Sequence, residues 1–103
     1  MTKPLASPLI LHPGEILRDE FLEPHGVTQY RLAKELGIHE TRVSDIVLGK
    51  RSITADTALR LAAFFETSPE FWLNLQTAYD LEEERRRLPT PAAEGEADTL
   101  VVA

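Results

Sequence analysis

Residues 29–47, QYRLAKELGIHETRVSDIV, carry the pattern that most limits what this chain can fold into. Leu32, Leu36, Ile38, Val43 and Ile46 recur at spacings that let two short helices, crossed at about 100°, bury their contacts against each other. Ala33 stands where the first helix needs a small side chain, because the second approaches its backbone there. Gly37 stands at the corner, where the chain leaves a helix through a left-handed conformation that costs a residue with a Cβ about 1 kcal/mol or more. Together these seven positions describe a helix-turn-helix, whose second helix normally enters the major groove of double-stranded DNA. A helical hairpin in a small bundle could use the same packing without meeting DNA, so the flanks have to separate the two.

The chain as a whole sets wider bounds. Its 103 residues allow one domain with a modest core. The absence of cysteine removes disulfides, thiolate metal sites and a cysteine nucleophile, as suits a reducing cytoplasm. The apolar run Leu9-Ile10-Leu11 is too short for a signal h-region or a membrane span, so no membrane partner is expected. His12, His25 and His39 lie scattered with no zinc-ligand spacing, and no phosphate-binding loop or nucleophile elbow is present. The reading is of a non-enzyme without cofactor or metal.

The net charge of −6 runs against DNA binding until it is placed along the chain. From Thr28 to Ile53 five bases (Arg31, Lys34, Arg42, Lys50, Arg51) outnumber three acids (Glu35, Glu40, Asp45). From Asp80 to Ala103 seven acids outnumber three bases. Phosphate attraction acts over about one Debye length, roughly 8–10 Å, so the local sign governs. The acidic total weakens non-specific affinity and favours a dimer over a single copy.

Three segments are expected: a flexible lead over 1–11, a helical domain over 12–88 and an acidic, flexible tail over 89–103. Pro13 and Glu15 open a first helix carrying Ile16, Leu17, Phe21 and Leu22, with Pro24 and Gly26 as its stop. Thr28 caps the second helix, Ile38-His39 opens the third and Gly49 closes it. Thr54 caps a fourth whose apolar face reads Ala58, Leu59, Leu61, Ala62, Phe64 and Phe65. Ser68-Pro69-Glu70 starts a fifth with Phe71, Trp72, Leu75, Ala78 and Tyr79, running into glutamates 82–84 paired with arginines 85–87 three residues on. Pro89 and Pro91 end it, and Leu100-Val101-Val102 is either a frayed end or a strand that pairs only with a partner. Five helices without a strand make the domain all-α.

The helix-turn-helix with its downstream fourth helix resembles the Cro/C1-type (XRE) domain of phage repressors, implying a lambda-repressor-like fold. Three flanking blocks narrow the resemblance: His12-Pro13-Gly14-Glu15-Ile16-Leu17, then Gly49-Lys50-Arg51-Ser52-Ile53-Thr54, then Ser68-Pro69-Glu70-Phe71-Trp72-Leu73-Asn74-Leu75-Gln76. They are similar to those of HigA (VapI-like) antitoxins, over about Leu11 to Leu81. The resemblance implies a homodimer that represses its own operon at a palindromic operator and neutralises a HigB toxin, a RelE-like mRNA endonuclease. One residue departs from it: many relatives carry asparagine before the glycine that ends the third helix, and here that residue is Leu48. An amide there could reach a phosphate or accept a left-handed turn, so one positioning contact is expected to be lost.

In such a fold the start of the third helix reaches base edges, which nominates Glu40, Thr41, Arg42, Ser44 and Asp45. Arginine can grip guanine with two hydrogen bonds, a carboxylate can accept from cytosine N4, and a threonine methyl can meet that of thymine. Arg42 has a plainer reading as a phosphate contact or a solvated charge, and Glu40 and Asp45 as exposed helix residues. Thr28, Gln29, Lys50 and Arg51 are the phosphate candidates. Phe71 and Trp72 read as core, leaving Leu75, Tyr79 and Leu81 as the candidate dimer surface. The acidic end reads either as a solubilising tail or as an attraction for a basic toxin. A stand-alone regulator without a toxin, and a protein-binding inhibitor with vestigial DNA binding, remain as alternatives.

Overall fold

Helix follows helix through residues 10–88, the part of the chain that the computed structural model describes. The acidic tail, Leu100-Val101-Val102 and most of the lead lie outside the described residues. We label the helices α1 (13–25), α2 (Gln29–Leu36), α3 (Glu40–Val47), α4 (Ala55–Phe65) and α5 (Pro69–Arg87). No strand occurs among the described residues. The starts follow the sequence signals: Thr28, Thr54 and Ser68 each accept a hydrogen bond from the backbone N–H three residues on.

The first helix ends differently from expectation. Pro24 lies inside its last turn, and Gly26, with φ 64°, is the residue that stops it. Ahead of the proline, Leu17–Leu22 widen into a π-helical stretch, where the Glu23 N–H reaches back five residues to the Arg18 carbonyl. A proline lacks the donor for a normal turn and its ring crowds the carbonyl four residues back; the wider turn relieves both.

The core collects one stripe from every helix: Leu17 and Leu22 of α1, Leu32 and Leu36 of α2, Val43 and Ile46 of α3, Leu61 of α4 and Trp72 of α5. Trp72 is wholly buried, and its indole N–H donates to Thr67 Oγ1 at 2.8 Å. Phe21 packs against it with ring centroids 4.8 Å apart, which ties α1 to α5. Three residues expected on apolar faces sit on the flanks. Leu59 is 61% exposed, because α4 buries the Thr57, Ala58, Leu61 and Ala62 row and Leu59 points about 100° away from Ala58. Phe71 lies at the rim with its ring 5.0 Å from Trp72, and Ala78 is exposed beside the buried Trp72–Gln76 row.

Candidate nucleic-acid interface

The two helices of the motif meet as their residues dictate. Leu32, Ala33, Leu36, Val43 and Ile46 are buried and Ile38 packs against them half-buried. Gly37 turns the corner at φ 73°, ψ 34°, and its N–H closes onto the last turn of α2. His39 precedes α3 in extended backbone and makes no capping hydrogen bond with its side chain. The opening of α3 is thus uncovered: Glu40 and Thr41 are exposed, and Ser44 and Asp45 are half-buried one turn on. A shallow groove lined by Glu40, Thr41 and Ser44 runs along it. A second groove joins the corner residues Gly37 and Ile38 to Thr41, Arg42 and Arg51.

The charged candidates occupy distinct settings. Arg42 is 27% exposed, and its Nη1 donates to Asp56 Oδ2 of α4 at 3.2 Å. Asp56 also accepts from Arg60 Nε, at 3.0 and 3.1 Å, while Arg60 Nη1 donates to the Leu36 carbonyl at 2.7 Å. The Arg60 hydrogen bond, and then the two arginine charges, hold the Asp56 carboxyl below the usual carboxylate range. Arg51 stands 3.8 Å from Asp45, and Lys50 is exposed. Thr28 spends its hydroxyl oxygen on the cap of α2, and Gln29 opens that helix half-buried.

The far end of α3 is closed. A Cβ on Gly14 would lie 1.8 Å from the Ile46 carbonyl oxygen and 2.9 Å from Val47 Cα, so only glycine lets α1 rest on the recognition helix's backbone. His12, buried, accepts the Gly14 N–H on Nδ1 at 2.9 Å and meets Tyr79 edge-on at 4.8 Å. Burial lowers the His12 pKa, with Glu15 and Asp80 acting against that shift. Past the helix, Leu48 keeps right-handed backbone (φ −82°, ψ −1°) and Gly49 takes the left-handed turn at φ 79°. Leucine therefore costs no backbone strain here; its side chain, 62% exposed, simply offers no polar atom. The loop beyond is held by Gln76, buried in α5, whose Oε1 accepts the Ile53 N–H at 2.8 Å while its Nε2 donates to Asp80 at 2.9 Å.

Comparison with known proteins agrees with this geometry. A helix-turn-helix family model matches residues 19–72. The chain is 54% identical over 71 residues to virulence-associated protein I of Dichelobacter nodosus, covering 69% of this chain and 66% of that protein. It is 47% identical over 74 residues to antitoxin HigA-1 of Vibrio cholerae, covering 72% and 70%. Among solved structures, the Pseudomonas aeruginosa antitoxin HigA with higBA promoter superposes with a TM-score of 0.81 at 41% identity, over 90% of this chain and all of that one. The chain belongs to the HigA family of helix-turn-helix antitoxins.

For this HigA-family chain the five nominated base-reading residues share the first two turns of α3. Arg42 differs from the other four by leaning onto α4. Of the nominated dimer residues, Leu75 packs on the core, Tyr79 is half-buried against His12, and Leu81 is 49% exposed. Four residues that shape the site had been given no role of their own from sequence: His12, Gly14 and Gln76, which entered only within the flanking blocks, and Asp56. Two of these carried a signal. A glycine in a first helical turn is unfavourable by about 1 kcal/mol against alanine unless something needs the space. A glutamine on the Trp72–Tyr79 face of an amphipathic helix needs a buried partner. No helix among the described residues is long and apolar enough to cross a membrane.

Proposed function

We propose that this chain is an antitoxin that binds the operator of its own operon as a homodimer, represses it, and neutralises a HigB-like, RelE-like mRNA endonuclease. The observation that carries the proposal is the likeness, over 90% of the chain, to a HigA solved with promoter DNA, joined to an α3 whose first turn is open to solvent. In this reading Glu40, Thr41, Arg42, Ser44 and Asp45 meet base edges in the major groove. Thr28, Gln29, Lys50 and Arg51 seat the helix on phosphates. Two copies would join through Leu81 and the exposed edges of Leu75 and Tyr79 on α5, matching a palindrome with half-sites about one helical turn apart.

The test has three arms. Fluorescence anisotropy on a duplex from its own promoter, against a scrambled duplex, should show discrimination. Sedimentation should give a dimer that Leu81→Glu splits. Co-expression with the product of the reading frame immediately upstream should yield a stable complex and relieve that product's growth arrest. Operator binding without any such complex would mark a stand-alone regulator. A toxin complex without operator discrimination would mark a purely protein-binding inhibitor.

A further inference from the structure

We infer that Asp56, at the start of α4, is a positioning residue for DNA readout: it fixes the Arg42 guanidinium so that its free edge is presented to a base. The inference rests on the DNA-reading role proposed above for α3, and it deepens it by placing a specificity determinant outside the recognition helix. Among the described residues, Arg42 is the only nominated reader whose side chain is tied to another helix, through one hydrogen bond from Nη1 to Asp56 Oδ2 at 3.2 Å. That bond uses one of the five guanidinium donors, and no other side-chain hydrogen bond of Arg42 is formed among the described residues. The Nε–Nη2 edge keeps the geometry that grips guanine O6 and N7 with two bonds.

Asp56 is itself fixed. Both its oxygens accept from Arg60 Nε, and Arg60 is anchored by its Nη1 to the Leu36 carbonyl at the end of α2. The chain of contacts therefore runs from the backbone of α2, through α4, to the guanidinium on α3. An unsupported arginine would lose rotamer freedom on meeting a base; one already oriented loses less, so support appears as affinity for the right sequence. A carboxylate near phosphates has the opposite electrostatic effect, since it repels any DNA. The two effects have opposite signs, and that makes the inference testable.

The experiment measures affinity for a promoter duplex and for a scrambled duplex of equal composition, using wild type, Arg42→Ala, Asp56→Ala, Asp56→Asn and the Arg42→Ala/Asp56→Ala double variant. Asp56→Ala should lower promoter affinity about three- to fivefold, in the range of one exposed ion pair, while scrambled affinity stays level or rises. Asp56→Asn, which keeps an acceptor oxygen, should recover at least half of the lost discrimination. In the Arg42→Ala background, Asp56→Ala should leave the promoter-to-scrambled ratio unchanged. A ratio unaltered by Asp56→Ala, or an equal loss with and without Arg42, would overturn the inference. If Asp56→Ala fails to fold, Asp56→Asn decides alone: a promoter-to-scrambled ratio below wild type, by a difference that is lost in the Arg42→Ala background, supports the inference, and a ratio equal to wild type overturns it. Failure of the wild type to discriminate would overturn the DNA-reading proposal with it; discrimination that Arg42→Ala leaves intact overturns this inference alone.

Discussion

The two ends of the recognition helix α3 are built on opposite terms. Its first turn carries exposed Glu40 and Thr41, with no side-chain cap from His39. Its last turn touches α1 backbone to backbone at Gly14, and the loop beyond is bonded to a buried glutamine of α5. One end is left to a partner and the other is fixed by the protein. The difference teaches what the flanking blocks are for. The His12–Gly14 segment and Gln76 touch the far end of α3 and its loop, and they hold the helix in place from there.

The contrast breaks most severely at the closed end. Gly14→Ala places a methyl against backbone that cannot swing aside, and should cost about 3 kcal/mol or more of stability, read as a lower midpoint in urea. Gln76→Leu strands the Ile53 N–H in the interior and should cost about 1–3 kcal/mol. It should also loosen the segment bearing Lys50 and Arg51, visible as faster amide exchange at Ile53. At the open end the outcome reverses. Glu40→Ala should leave the melting curve within about 0.5 kcal/mol of wild type, while discrimination between promoter and scrambled DNA changes by about 1–3 kcal/mol.

A smaller effect comes from acid at the closed end. The folded His12 pKa lies below 6.5 because burial opposes the charged ring, so the unfolded chain takes up a proton that the native chain resists. Its contribution is therefore fully present above about pH 6.5 and is lost as pH falls from there toward the folded value. Protonation would also cost Nδ1 its role as acceptor for the Gly14 N–H. The stability curve of His12→Asn should be flatter than that of wild type through this window; parallel curves would remove His12 from the account. Least of all, Lys50→Ala should weaken promoter and scrambled DNA alike and reduce the slope of log affinity against log salt by about 1.

Much of this was legible in the sequence because the relevant signals are local. The caps at Thr28, Thr54 and Ser68, the left-handed Gly37 and the Leu32–Ile46 contacts are short-range consequences of side-chain size and hydrogen-bonding groups. What escaped depends on which distant element arrives at a residue. Gly14 looked like part of a start signal until the backbone of α3 was seen beside it, 32 positions on. Arg42 looked like a free base reader, and only the arrival of α4 gave it a carboxylate. Pro24 looked like a stop because a widened π-helical turn leaves no mark in periodicity. Leu59 was misplaced by counting apolar residues on α4 without fixing which row faces inward.

The most direct test of an open reading end and a closed supporting end is a residue-by-residue map of backbone amide shifts as promoter duplex is added to the intact protein. The largest changes should fall on residues 28–29, 40–45 and 50–51, with Gly14, Val47 and Ile53 nearly unmoved. Changes centred on α5, or spread through Gly14 and Ile53 while residues 40–45 stay still, would contradict that division.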